Sequence, residues 1–171
     1  MSILVDNKLI EVKLHYVDRQ YPGGAVGTKV FKNKEEEEDW VNRENLRRSE
    51  KVADLKAMKK EIPPHLEKNA KDEIKELITY WKRTDWGTQS EILNACSIIG
   101  ENGEQKTNYS KYRALQMQKL MSDWNVKSSD GSTVPINQEV ISRLDLNIAL
   151  ALITKYESLV NPSQEEMENF E

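Results

Sequence analysis

The chain has 171 residues, of which 32% are charged and 37% hydrophobic, and its formal net charge is −4. This length suits one domain with a small appendage, and the composition excludes a chain that is disordered throughout. No apolar run of about 18 residues predicts a membrane span, and the N-terminus does not have the pattern of a signal peptide. The single cysteine, Cys96, excludes an intramolecular disulfide and a cysteine-rich zinc site, so we expect a cytosolic protein.

The negative charge is concentrated at the C-terminal end. Residues 1–33 carry five basic and three acidic side chains, and the last eleven residues, 161–171, carry four Glu and no base. We predict that 161–171 is an acidic, flexible tail and that the body before it is close to neutral. Nucleic-acid binding is therefore disfavoured but not excluded.

Residues 1–33 are predicted to form a β-hairpin or small sheet. Apolar side chains alternate with polar ones at Ile10, Val12, Leu14 and Tyr16. The Pro-Gly-Gly sequence at 22–24 predicts a turn, residues 29–32 a return strand, and 3–5 a further short strand. The glycine spacing matches neither phosphate-loop pattern, so a hairpin loop is favoured over a nucleotide site.

Residues 34–62 are predicted to form a long, charged linker helix. Acidic residues cluster at its start and lysines at its end, which matches the helix dipole. Its apolar stripe is thin, so we expect an exposed helix that touches the body at few points.

Residues 63–160 are predicted to form a helical domain of four to five helices, which makes the fold class α+β and mainly α. The first helix is placed at 69–82, where apolar residues recur at helical spacing. A capping box at Thr88–Glu91 is predicted to open the second helix, which ends at Gly100 before a polar loop.

The rest of this region is predicted to be three helices. One runs over 110–123, a short one is capped by Asn137, and a last amphipathic helix is capped by Asp145.

Few residues are candidates for catalysis, so we expect a protein that is not an enzyme and has no cofactor or metal. His15 and His65 lack a second histidine at metal-ligand spacing and are expected at the surface. Cys96 lies on the apolar face of a predicted helix, where a buried small side chain is favoured over a nucleophile.

Tryptophan is frequent in a chain with only two Phe. Trp81 and Trp124 are expected to be packing anchors. The candidate partner-contact residues are Trp40, Trp86, Lys82 and Arg83, since an exposed Trp is a typical interface anchor. Two bases beside Trp81 and Trp86 would also suit single-stranded nucleic acid, although two give little counterion release.

The second half has a distinctive order of short motifs. Trp124 is followed by Asp130-Gly131, by Val134-Pro135-Ile136, and by the apolar positions of 140–144. This order, over about residues 74–160, resembles small tail-module proteins of long-tailed bacteriophages, including the tail assembly chaperone group.

The resemblance implies a non-enzymatic tail assembly factor in the cytoplasm of an infected bacterial host. Its partners would be phage structural proteins, the tape measure and the tail tube, and a homo-oligomer is left open. The first alternative is a structural component of the tail or neck, located in the virion. The second is a small nucleic-acid-binding regulator that uses the positive N-terminal sheet.

Overall fold

A computed structural model describes residues 7–20 and 23–161. The fold is α+β, as predicted. It divides into two compact units, Leu14–Glu76 and a second unit that takes the described residues up to Lys13 and from Leu77 onward. The predicted strand at 3–5, the residues Tyr21 and Pro22, and the tail beyond residue 161 lie outside the described residues.

A four-stranded sheet has the strand order β2-β1-β3-β6. Its strands are β1 (Ile10–Gln20), β2 (Val26–Phe31), β3 (Lys75–Trp81) and β6 (Met121–Trp124). The β1–β2 pair is antiparallel, with Gln20 opposite Val26, which confirms the predicted hairpin. In its connection Gly23 and Gly24 have φ of +99° and +87°, values that glycine adopts without steric cost.

Strand β3 occupies the segment that was predicted to be a helix over 69–82, so that prediction is wrong. The apolar residues there fit both the helical period of 3.6 and the strand period of two. The buried positions in the structure are Leu77, Thr79 and Trp81, which are two residues apart. β-branched and aromatic side chains favour a strand, and β6 supplies an antiparallel partner, with Thr79 opposite Trp124. A short apolar run cannot distinguish these alternatives by itself.

The described residues of the unit Leu14–Glu76 include one α-helix, α1 (Lys34–Ala57), and the short 3₁₀ turns Pro64–Leu66 and Ala70–Glu73. The Asn33 side chain accepts a hydrogen bond from the Glu36 backbone N–H at 2.9 Å and so caps α1. Trp40 packs its ring against Phe31 of β2, with centroids 5.6 Å apart. Helix α1 is therefore packed within its own unit.

The other unit contains α2 (Trp86–Cys96), β4 (Ser97–Ile99), β5 (Gln105–Thr107), α3 (Tyr109–Leu120), α4 (Gln138–Ser142) and α5 (Leu146–Val160). Residues 63–160, all of them described, thus hold four helices and four strands rather than the predicted all-helical arrangement. Its buried side chains come from every helix of the unit and from β3 and β6, and include Trp81, Ile92, Cys96, Met117, Trp124, Ile141, Leu152 and Tyr156.

The predicted helix starts were partly right. Asn137 and Asp145 do cap α4 and α5, since their side chains accept hydrogen bonds from first-turn N–H groups. The prediction of a capping box at Thr88–Glu91 is wrong, because Asp85 caps α2 one turn earlier. The Asp85 side chain accepts a hydrogen bond from the Thr88 N–H at 2.8 Å. Glu91 instead pairs with Lys119 at 2.6 Å.

Two predicted helix ends are also wrong, because strands follow. Helix α2 ends at Cys96, and β4 and β5 form a hairpin where a helix end and a polar loop were predicted, with Ile98 opposite Lys106. Helix α3 ends at Leu120 rather than at 123, because the next residues pair with β3.

Candidate functional site

A cleft of about 750 Å³ lies at the start of α2, in the unit that contains α2 to α5. Trp86 is the first residue of α2, and its side chain is 86% exposed. Arg83 lies before the Asp85 cap, is exposed, and lines the same cleft. The other residues named as lining it include Gln89, Tyr112, Gln116, Tyr156, Glu157 and Val160.

The wall of this cleft is fixed by hydrogen bonds between its elements. The Tyr156 hydroxyl donates to the backbone carbonyl of Lys82 at 2.9 Å. The Gln89 amide donates to the Tyr112 hydroxyl at 3.0 Å and so connects α2 to α3. These two hydrogen bonds join the elements that form the cleft.

One polar atom of the cleft is unsatisfied. Gln116 is 5% exposed, and its Oε1 has no hydrogen-bond partner within the described part of the chain. An acceptor left unpaired in a buried position costs about 1–3 kcal/mol, so a hydrogen bond from a further donor to Gln116 would remove that cost.

The sequence predictions did not single out Gln116. A usable signal was present, since Tyr112, Gln116 and Leu120 recur every four residues on the buried side of the predicted helix. A polar residue at a core position needs a partner.

The four predicted contact residues are not at one site. Arg83 and Trp86 line the same cleft, whereas Lys82 is exposed and uses its backbone, with its N–H donating to Leu120 O at 2.8 Å. Trp40 lies in the other unit. Trp81 is buried and stacks on Tyr156, so the suggested pairing of bases with Trp81 does not exist. Burial of Trp81 and Trp124 confirms that they are packing anchors.

A second cleft, of about 880 Å³, lies within the unit Leu14–Glu76. It is bordered by the C-terminal end of β1, by β2, by one face of α1 and by residues of the segment from His65 to Glu73. Most of its lining side chains are charged, namely Asp18, Arg19, Lys29, Arg43, Glu44, Arg47, Arg48 and Glu73. Trp40 and His65 also line it.

Arg48 is the buried centre of this unit. Its guanidinium donates to Glu44 at 2.9 Å and to Glu73 at 2.8 Å, and also to the backbone carbonyls of His65 and Lys68. The Glu73 hydrogen bond holds the pKa of Arg48 above its ordinary value. The hydrogen bond from Arg47 lowers the pKa of the Glu44 carboxyl, so Glu44 favours the charged form.

His15 is half-buried in the same unit. Its Nδ1 lies 2.5 Å from Glu37 Oε2, and its Nε2 lies 3.2 Å from Glu76 Oε2. The hydrogen bond to Glu37 raises the pKa of His15 above 6.5. His15 was expected at the surface, and 43% of its side chain is indeed exposed. His65 is exposed, and Cys96 is buried, as predicted.

Over residues 7–20 and 23–161, no group of three or more His, Cys, Asp or Glu is placed to hold a metal ion. Over the same ranges no helix has the length and apolar character needed to cross a bilayer. Comparisons with protein-family models, with curated proteins and with solved structures found no match to this chain.

Proposed function

We propose that this chain is a non-enzymatic assembly factor that binds a protein partner through the cleft at Trp86, in the manner of the tail assembly chaperones its motif order resembles. The observation that carries the proposal is the pairing, in one cleft, of an exposed tryptophan with a buried acceptor that has no partner. The motif order from Trp124 to Leu144 supports the phage assignment, and the cleft supports a binding role.

The exposed Trp86 side chain contributes little burial of apolar surface to the folded state. Its side chain is 86% exposed, whereas Trp81, Trp124 and Tyr156 of the same unit are each at most 3% exposed. Covering a large exposed aromatic side chain with a partner lowers the free energy of the complex, and tryptophan is enriched among residues that dominate binding. Arg83, on the same rim, can pair with a carboxylate of the partner.

Gln116 adds a directional requirement. Its Oε1 can accept a hydrogen bond, so the partner must present an N–H or O–H donor together with its apolar surface. An amphipathic helix with a polar side chain near its apolar stripe meets both requirements. The resemblance implies a long tape-measure protein as partner, and an amphipathic segment of it is the proposed occupant.

Co-expression with a tape-measure segment tests this proposal. We expect the segment to become more soluble with the native chain and to lose most of that gain with Trp86→Ala. A dominant interface tryptophan contributes about 2 kcal/mol, so the dissociation constant should rise about thirtyfold. Since Trp86 is almost fully exposed, its replacement should leave the thermal midpoint unchanged.

Tyr109→Ala is the matched control. Tyr109 is the first residue of α3, is 71% exposed, and is not among the residues that line the cleft. Equal losses from Trp86→Ala and Tyr109→Ala would contradict the assignment of the cleft. No gain in solubility with the native chain would contradict the chaperone role, and structural copy numbers of the chain in purified virions would favour the virion-component alternative.

A further inference from the structure

The second cleft, in the unit Leu14–Glu76, has an excess of positive charge. Five Arg and Lys side chains and three carboxylates line it among the described residues, the cations being Arg19, Lys29, Arg43, Arg47 and Arg48. Its volume, about 880 Å³, is in the range of small-molecule sites, although its walls are more polar than most. A cleft of this kind favours a negatively charged ligand.

Most of these cations already have carboxylate partners. Lys29 pairs with Glu36 at 2.7 Å, and Arg47 and Arg48 share one oxygen of Glu44 at 2.7 and 2.9 Å. Glu44 therefore pairs with two guanidinium groups, so one negative charge faces two positive charges. The pairs on Lys29 and Arg48 fix the cleft, while Arg47, 61% exposed in its side chain, keeps capacity for another acceptor.

The Arg43 guanidinium has unused hydrogen-bond donors. Within the described part of the chain its guanidinium makes one hydrogen bond, from Nε to the backbone carbonyl of Asp39 at 3.2 Å. Arg43 and Arg47 are four residues apart on α1, so their like charges repel. A bound anion between them would remove this repulsion and would meet the planar donor fork that suits phosphate.

Trp40 gives the cleft an aromatic wall. It lies one turn before Arg43 and Glu44 on α1, is half-buried, and its ring contacts the Phe31 ring with centroids 5.6 Å apart. An aromatic ring supported in this way can stack on a planar base beside the arginines.

We propose that this cleft binds a nucleotide unit, a phosphate joined to a planar base, with Arg43 and Arg47 on the phosphate and Trp40 against the base. This site lies in a different unit from the Trp86 cleft, and it does not depend on the function proposed above. The unit can come from a free nucleotide or from a single strand, and the two sources share the same chemistry.

Fluorescence anisotropy and calorimetry with the full chain test the proposal. The probes are inorganic phosphate, dTMP and oligo(dT) of about eight nucleotides, a length within the usual site sizes. We expect dTMP or oligo(dT) to bind more tightly than phosphate, and Arg43→Gln with Arg47→Gln to weaken that binding at least tenfold. If the strand is the source, oligo(dT) affinity will exceed dTMP affinity and fall with salt by about 0.7 log units per log unit for each phosphate contacted.

Lys51→Gln is the control, since Lys51 lies on the same helix, is exposed, and is not among the residues that line the cleft. Trp40→Leu should lower dTMP affinity several-fold without changing phosphate affinity. If that variant does not fold, the arginine variants still decide. The proposal is overturned if no probe binds at up to about 1 mM, if phosphate binds as tightly as dTMP and oligo(dT), or if the arginine variants bind like the native chain.

Discussion

The rings of Trp81 and Tyr156 are stacked, with centroids 4.7 Å apart and planes inclined by 20°. Trp81 ends strand β3 and Tyr156 lies in helix α5, so one aromatic pair ties the sheet to the last helix of that unit. Both side chains are at most 1% exposed, and the Tyr156 hydroxyl also donates to the Lys82 carbonyl. The wall of the Trp86 cleft is therefore part of the hydrophobic core.

The stacked pair predicts a clear difference between two substitutions of Tyr156. Tyr156→Phe keeps the ring and removes the hydroxyl with its hydrogen bonds to the Lys82 carbonyl and to Thr84, so the free energy of unfolding should fall by about 1–2 kcal/mol. Tyr156→Ala removes the ring and leaves a cavity, and we expect a loss of about 3–5 kcal/mol. Urea denaturation measures both, with Tyr109→Phe as an exposed control. Equal losses from the two substitutions would show that the hydroxyl, not the stacking, dominates.

Because the Arg48 guanidinium is buried, we expect substitution of Arg48 to lower the free energy of unfolding much more than substitution of its neighbour Arg47. Arg48→Met removes the donor to Glu73 and to the backbone carbonyls of His65 and Lys68, while Glu44 keeps Arg47, and the free energy of unfolding should fall by about 3 kcal/mol. Arg47→Met removes an exposed partner of the same Glu44, and the loss should stay below about 1 kcal/mol. Chemical denaturation of the two variants makes the comparison. Similar losses would mean that Arg48 is not the centre of this unit.

His15 predicts a pH-dependent contribution to stability. The hydrogen bond to Glu37 raises the pKa of His15 above 6.5, so the folded chain binds this proton more tightly than the unfolded chain. The stabilisation is complete below pH about 6.5 and is lost as the pH rises through the raised pKa. Thermal midpoints measured across this window should fall in the native chain.

His15→Gln and Glu37→Gln should each reduce the fall in thermal midpoint with rising pH. The double variant should not reduce it further than the single variant with the larger effect. This non-additivity would identify the pair as the source of the slope. An undiminished slope in His15→Gln would assign the pH dependence to another group.

Asp130 predicts a titration at unusually low pH. Its carboxylate accepts hydrogen bonds from the Ser128 hydroxyl and from the Ser132 N–H and hydroxyl, at 2.9 and 2.7 Å for Ser132, and these lower its pKa to about 2. Ser128→Ala should raise this pKa toward 3.8, its ordinary value. Carboxyl NMR titration measures the change. The turn should be stabilised above pH about 4 and should lose that stabilisation as the pH falls through 2.

Local patterns predicted several elements correctly. The alternation that begins at Ile10 predicted β1, and the glycines at 23 and 24 predicted the hairpin connection. Asn137 and Asp145 cap the helices they were predicted to cap. Each of these predictions depends on residues within one turn or on one strand, and the forces involved act over that range.

The candidate residues were less predictable. Trp86 and Arg83 could be named because exposure of a loop tryptophan follows from its polar neighbours. The roles of Gln116 and Arg48 could not be assigned from the sequence. Gln116 Oε1 has no donor within the described residues, and Arg48 donates to acceptors 17 to 25 residues further along the chain. Burial and partners of a polar side chain depend on the assembled fold.

The sequence by itself determined the charge distribution, the α+β class, the β1–β2 hairpin and the starts of α4 and α5. Only the tertiary structure decided that residues 75–81 form a strand, because β6 offers hydrogen-bond partners that no local window contains. It also decided which charges surround each cleft. Backbone hydrogen bonds across a sheet and side-chain burial are settled between distant segments, so periodicity alone left the helix and the strand equally compatible with Leu77 and Trp81.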